Sequence, residues 1–281
     1  MSSPAHPTVA VITGCSSGIG ESLAHAFAAR GITVIATARR VESLAHLTKK
    51  HDNIIALPLE LGDLSSLERF RDAVDEKTGG RVDILVNNAG MHLAATAVDM
   101  DIAEAEKLFT VNVFAVMRLC QLFFPILRKS SRGRIVQLGS ISRDVPTTWQ
   151  CAYNASKAAL SQYTNTLRLE LRPFGVEVIE VVTGYVRSNI LHHGFSAPDD
   201  SLYLPIKADI EGILRNGIET GMPSDEYAAA VVDRVLRSNT SPEIWDGKFA
   251  WTVELLVRFT PLWFLNWFWA RYFKLNKLSA R

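Results

Sequence analysis

Residues 8–20 read TVAVITGCSSGIG, a β-branched apolar run from Thr8 to Thr13 that breaks into a turn holding Gly14, Gly18 and Gly20. A short apolar run bounded by turn residues predicts a strand buried on both faces of a parallel sheet. The next segment, Glu21 to Arg30, puts Leu23, Phe27 and several alanines on one side of a helix, and Gly31 stops it. Strand, glycine-rich turn and helix in that order form a cradle for phosphate. Glycine lets the backbone turn tightly and lets a pyrophosphate approach, while the helix N-terminus offers free N–H groups and positive dipole. The residues presented to such a ligand are Gly14, Ser16, Ser17, Gly18, Ile19 and Gly20.

Outward from this turn the alternation repeats. Strands are expected over 32–36, 54–59, 82–86, 134–139 and 176–182, with helices over 41–50, 64–77, 103–127 and 153–172 between them. This pattern implies right-handed crossovers and a parallel sheet covered on both faces, the doubly wound, Rossmann-type α/β architecture in a single domain. From Ile190 to Ser224 glycine, proline and aspartate punctuate the sequence, which predicts a covering lid or irregular surface.

Composition limits the alternatives. A chain of 281 residues suits one large α/β domain, and 48% apolar against 21% charged residues allows a sizeable core and excludes global disorder. A net charge of +1 without a basic run gives no argument for nucleic acid. The cysteines, Cys15, Cys120 and Cys151, are odd in number and lack metal-type spacing, so neither a disulfide framework nor a zinc site is expected, and a reducing compartment is the simplest reading. His192-His193 has no third ligand, and no metal site is expected there. Met1 to Thr8 lacks the regions of a secretory signal.

Tyr153 and Lys157 stand four residues apart, on one face of the expected helix. A free tyrosine titrates near pH 10, too high for acid–base work at neutrality, and a nearby ammonium favours the phenolate. Ser140 ends the strand thirteen residues earlier, and Asn112 lies inside an apolar helix, where an unexplained polar group is costly. The G-x-x-x-G-x-G turn, the tetrapeptide Asn87-Asn88-Ala89-Gly90 after the fourth strand, and Ser140 ahead of Tyr153 and Lys157 resemble the short-chain dehydrogenase/reductase family over roughly residues 8–190.

That resemblance implies an oxidoreductase that moves a hydride to or from an alcohol or ketone carbon, with Tyr153, Lys157, Ser140 and Asn112 as its catalytic tetrad. Ser140 would hold the substrate carbonyl beside Tyr153, and Asn112 would help anchor a water linking Lys157 to solvent. Asn88, Ala89 and Gly90 would line the adenosine side of a nicotinamide cofactor. Lys157 would bind its ribose, and Val186 with Ser188 would hold its carboxamide. In the run Thr183 to Ser188, Thr183 stands where the family has proline and Ser188 where it has threonine, which can loosen the loop. The adenine contact would come from Glu60 or from Asp63. Past the second strand stand Thr37, Ala38, Arg39 and Arg40 with no carboxylate to repel a 2′-phosphate, so NADP(H) is expected, held by Thr37 and Arg39. A catalytically minor membrane-recruited protein, or a cofactor-binding scaffold protein, on the same fold is the alternative.

The substrate side is expected from 142–152, 185–195 and a lid over 197–222, including Trp149, Phe195, Tyr203, His192, His193 and Arg143. Residues 1–248 form the catalytic domain on this reading, and 249–281 an aromatic extension. Four of the six tryptophans fall between Phe249 and Phe273, with Arg258, Arg271, Lys274 and Lys277 around them. Such a stretch suits peripheral membrane association, and equally a helix packed over the substrate pocket or at a dimer interface. The strand end and tail are similar to fungal NADPH-dependent 1-acyldihydroxyacetone-phosphate reductase-like and secondary-metabolite reductases. That likeness implies a lipophilic small-molecule substrate, homo-oligomers, and an intracellular place in the cytoplasm or at the cytoplasmic face of endoplasmic reticulum or lipid droplets.

Overall fold

The computed structural model describes residues 7–190 and 195–278. The first apolar run forms β1 (Val9–Ile12), wholly buried, and the glycine turn opens directly into α1 (Gly18–Ala28). β2 (Thr33–Ala38) runs two residues further than the sequence pattern suggested, which puts Thr37 inside the strand and Arg39 just past its end. A 3₁₀ turn (Val41–Leu44) and the short α2 (Ala45–Lys50) replace the single helix expected there. Then come β3 (Ile54–Pro58), α3 (Ser66–Thr78) and β4 (Ile84–Asn87). The long helical region consists of α4 (Ile102–Phe109), a π turn (Thr110–Phe114) and α5 (Ala115–Leu127). It is long and apolar enough to cross a membrane, yet over half of it is buried in the core. β5 (Arg134–Leu138), α6 (Cys151–Leu171) and β6 (Glu177–Thr183) complete the expected elements.

The sheet is parallel and seven-stranded, in the order β3-β2-β1-β4-β5-β6-β7, where β7 is Glu243–Asp246. The order reverses between β1 and β4, and the crevice beyond the strand ends at that point is where doubly wound sheets take ligands. One face is packed by Leu23, Phe27 and Tyr227, the other by Leu67, Phe123 and Leu160.

Residues 190–224 are not irregular throughout, since α7 (Leu204–Glu219) occupies much of that span. Its buried positions Ile206, Ile210 and Leu214 repeat at helical spacing, and the glycines among them masked the pattern. α8 (Ser224–Val235) follows and packs on α1. The aromatic tail forms α9 (Ala250–Phe259) and α10 (Leu262–Tyr272), separated at Pro261. Val253, Leu265, Trp269 and Phe273 share a third core with Trp149 and the inner face of α7. The tail is thus packed on the domain rather than appended to it.

Phe273 is 2% exposed. Phe273→Ala should therefore cost about 3–5 kcal/mol, as for a large-to-small change in a core. Denaturant unfolding measures it, and a loss below about 1 kcal/mol would show a detachable tail.

Candidate active site

The glycine turn is fixed from below by hydrogen bonds. The Cys15 amide donates to the Thr37 carbonyl (2.7 Å), and Asn88 Nδ2 donates to the carbonyls of Thr13 (2.8 Å) and Gly14 (3.2 Å). The Thr13 hydroxyl accepts from the amides of Asn88 (3.0 Å) and Ala89 (2.9 Å). A Cβ on Gly20 would lie 2.0 Å from the Gly14 carbonyl oxygen, and Gly14 has φ +72° against Ala89, so only glycine fits either place. Ser17 provides no side-chain cap to α1, which leaves first-turn amides and the positive helix end at the cradle.

The cradle opens into a cavity of about 750 Å³ that continues past Tyr153 to the tail. Of the expected cofactor residues, the six of the turn, Thr37, Arg39, Glu60, Asn88, Ala89, Gly90, Tyr153, Lys157, Val186 and Ser188 all line it. Asp63 does not. Its carboxylate accepts from the Ser65 amide (3.0 Å) and hydroxyl (2.6 Å), and that bonding holds its pKa below the usual range. Asp63 is a turn residue, and of the two candidates only Glu60 faces the cavity.

The residues present fit a phosphorylated dinucleotide. The Thr37 hydroxyl is buried at the cavity without a hydrogen-bond partner, and the cradle is glycine where a Cβ would fill it. Arg39 is exposed at the cavity rim and is paired with no carboxylate among the described residues.

Ser140, Tyr153 and Lys157 meet at the end of β5. The Ser140 hydroxyl lies 3.1 Å from the Ser142 hydroxyl and accepts from the Ser142 amide at 3.1 Å. Burial pushes the Tyr153 phenol up to about 12, and its hydrogen bond with Ser140 pulls the other way. Lys157 Nζ donates to the Leu138 carbonyl (2.8 Å) and stands 5.7 Å from the centre of the Tyr153 ring. Asn112 does not line the cavity. Its Oδ1 accepts from the Met91 amide (2.7 Å), and its Nδ2 donates to the Met91 carbonyl (2.9 Å) and the Ser156 hydroxyl (3.1 Å). The side chain is therefore committed to bracing the segment after Gly90 against α6. Both Nδ2 hydrogens are used in this way, while Oδ1 keeps one lone pair.

Other expectations are redirected. Trp149, held at φ 65°, donates from Nε1 to the Ser196 carbonyl (3.1 Å) and packs edge-on against Phe195 and Tyr203. These three aromatics pack with the buried side of α7 and do not line the cavity. Arg143 is turned away into buried ion pairs with Glu180 (2.5 Å), Asp144 (2.9 Å) and Glu243 (2.9 Å). His192 and His193 lie outside the described residues. Thr183, in place of a proline, bonds the buried Tyr227 hydroxyl at 2.6 Å, which steadies the loop by a different means. His92, its ring centre 5.1 Å from that of Tyr153, also lines the cavity. So do Leu256 of α9 and Phe268, Trp269, Tyr272 and Phe273 at the end of α10, and the i, i+4 spacing of the last four was the available signal.

The family model for the short chain dehydrogenase matches residues 8–198. The chain belongs to the short-chain dehydrogenase/reductase family. It is 38% identical to Short-chain dehydrogenase RED1 of Pyricularia oryzae, over 98% of each chain. It is also 38% identical to the NADPH-dependent 1-acyldihydroxyacetone phosphate reductase of Schizosaccharomyces pombe, over 80% of this chain and 77% of that one. A short-chain dehydrogenase from Streptomyces avermitilis superposes with a TM-score of 0.80 at 28% identity, covering 99% of this chain and 100% of the other. Solved structures of this fold hold NADP in some cases and NAD in others.

Burial lowers the Lys157 pKa from 10.5 to about 8, and the charge of Glu180 opposes the shift. Between those two values the folded protein binds fewer protons here than the unfolded chain, so stability rises with pH across that window. Below it the cost of the buried charge stands in full. Lys157→Met should accordingly stabilise the fold at pH 7, by on the order of 1 kcal/mol. The gain should fade towards pH 10, as denaturant unfolding at both pH values would show. A destabilised variant at pH 7 would mean that the bond to Leu138 outweighs desolvation.

Proposed function

We propose that the protein is an NADP(H)-dependent oxidoreductase that interconverts a lipophilic ketone and its alcohol. The observation that carries this reading is the single cavity that joins the glycine cradle and the unpaired Arg39 at one end, Ser140, Tyr153 and Lys157 in the middle, and an aromatic wall at the other. The cradle, Thr37 and Arg39 would hold the dinucleotide and its 2′-phosphate. A bound nicotinamide supplies or accepts the hydride. Ser140 donates a hydrogen bond to the substrate carbonyl oxygen and fixes it beside Tyr153. As charge develops on that oxygen, the Tyr153 hydroxyl delivers its proton. The phenol is a weak acid in its buried setting, and the ammonium of Lys157 favours the phenolate that results. The wall of Leu256, Phe268, Trp269 and Phe273 receives the apolar body of the substrate.

A screen of apolar and polar ketones, read by loss of NADPH absorbance, tests this with wild type, Tyr153→Phe and Arg39→Ala. Wild type should favour apolar ketones, and Tyr153→Phe should keep NADPH binding while losing about a hundredfold or more in turnover. Arg39→Ala should weaken NADPH binding about tenfold or more with NADH binding little changed, since only the phosphorylated cofactor offers the guanidinium a partner. Tighter binding of NADH than NADPH by wild type would overturn the cofactor assignment.

The outer face of the tail supports peripheral binding to an anionic bilayer. Trp251, Phe259, Leu262 and Trp263 are each at least 68% exposed, and Trp267 is 51% exposed. Arg271 stacks over Trp267 (4.9 Å), and neither Arg271 nor Lys274 is paired with a carboxylate among the described residues. Aromatic residues with unpaired cations suit the headgroup layer, whereas α9 and α10, of 10 and 11 residues, are too short to span it. Wild type should sediment with phosphatidylserine-containing vesicles and less with neutral ones, and the W263S/W267S double variant should remain in solution. Absence of vesicle binding, or a dimer that this double variant dissociates, would overturn the assignment.

A further inference from the structure

A carboxylate lies buried behind the catalytic residues without contributing to the cavity. Glu180, on β6, is wholly inaccessible, with Val178 and Ile179 before it and Val181 and Val182 after it. Its Oε2 accepts from Arg143 Nη1 (2.5 Å) and from the Ser161 hydroxyl (2.9 Å). Its Oε1 has no hydrogen-bond partner and faces Gly139, where a Cβ would come within 2.5 Å of it. Each contact belongs to a segment that carries a reacting group. Gly139 directly precedes Ser140, Arg143 follows it by one turn, and Ser161 lies one helical turn beyond Lys157 on α6. Arg143 also bonds Glu243 on β7 (2.9 Å) and packs over the Trp245 ring (5.0 Å), so the cluster reaches the sheet edge.

We propose that Glu180 is a positioning residue of the reaction, clamping the strand end of Ser140 to the helix of Tyr153 and Lys157 and supplying the buried negative charge behind them. A buried carboxylate with one oxygen unpaired is costly to keep. Placed between these two segments, it fixes their spacing. The charged and titratable groups around it are Arg143 and Asp144 from the turn after Ser140, Lys157 and Arg168 from α6, Glu243 from β7, and Arg258 from α9 through Glu243. Burial raises the Glu180 pKa, while Arg143 and then Ser161 pull it down. Its charge is the one that holds up the pKa of Lys157 against desolvation. Loss of that charge moves the ammonium towards neutrality at a lower pH, and the alkaline limb of ketone reduction moves with it, because the pair titrates as a unit.

The inference rests on the proposed roles of Tyr153 and Lys157, and its test is separable from theirs. Glu180→Gln keeps the shape and the hydrogen-bond acceptor, and Arg143 retains its Asp144 and Glu243 partners. The Lys157 Nζ resonance is titrated by nitrogen-15 NMR in wild type and E180Q, and kcat and KM are measured across pH for an accepted ketone. The expected result is a Lys157 titration lowered by about half a pH unit or more, with the alkaline limb displaced alike. A fall of about tenfold in kcat, with KM and NADPH affinity nearly unchanged, should accompany it. A folded E180Q with the same titration, limb and kcat as wild type overturns the inference. Should wild type reduce no ketone, the proposed function fails, while the Lys157 titration still decides the role of Glu180. If E180Q does not fold, S161A decides. It removes one of the two bonds of the clamp and leaves the charge, so an unchanged kcat overturns the inference, while a fall in kcat with KM nearly unchanged upholds it.

Discussion

The hydrogen bonds that tie Thr13 to Asn88 and Ala89 are the constraint on which the rest of the site depends. β1 and β4 are neighbours at the point where strand order reverses, and helices leave them on opposite faces of the sheet. Without a tie beyond the last paired residues, the two chains would diverge there. One threonine hydroxyl accepting two amides, and one asparagine amide donating to two carbonyls, hold them together for one more turn. Gly14 and Gly20 are needed because the approach is too close for a Cβ. The phosphate cradle follows from that closeness. So does the position of Gly90, whose neighbour Met91 is gripped by Asn112.

From this fixed point the reacting groups are set by a second constraint, the burial of charge. Lys157 is 6% exposed and carries its ammonium under the end of β5. Desolvation acts on it and on Tyr153 in opposite senses, lowering the lysine and raising the phenol. The two shifts bring a cation and a phenol into one small volume, where each alters the other's titration more than water would allow. Holding such a pair requires rigid surroundings. The π turn at Asn112 and the contact between Gly139 and Glu180 provide them from two directions.

Much of this could be read from residue order. The strand–turn–helix at residues 8–20, the parallel alternation and the placing of Ser140 before Tyr153 and Lys157 are local patterns, and the fold preserves local patterns. What could not be read depended on where side chains turn. Asp63 and Glu60 are three residues apart, yet a hydroxyl and an amide of Ser65 draw Asp63 into its own turn and away from the cavity. Arg143 suited a substrate pocket by composition, but its neighbour Asp144 and two carboxylates from β6 and β7 claim it. Asn112 is a costly polar residue in an apolar helix, and which groups meet it, the Met91 backbone and the Ser156 hydroxyl, could not be read from order. Glu180 carried an unused signal: an acid between isoleucine and valine in a central strand demands a buried partner.

The tail shows how one helix can answer two demands. A helix apolar all round is ordinarily buried, and α10 is apolar nearly all round while only Leu265 and Trp269 within it are buried. Its inner side closes one end of the cavity, because α7 and Val253 of α9 give it a surface to pack on. Its outer side has no such surface in the described chain. An exposed aromatic face of this kind costs free energy in water unless something covers it. Cavity and exposed face are separated only by the thickness of the helix. An apolar molecule held at the outer face would therefore lie within a helix diameter, about 10 Å, of the cavity wall. The cavity wall and the exposed patch are thus the two sides of one segment.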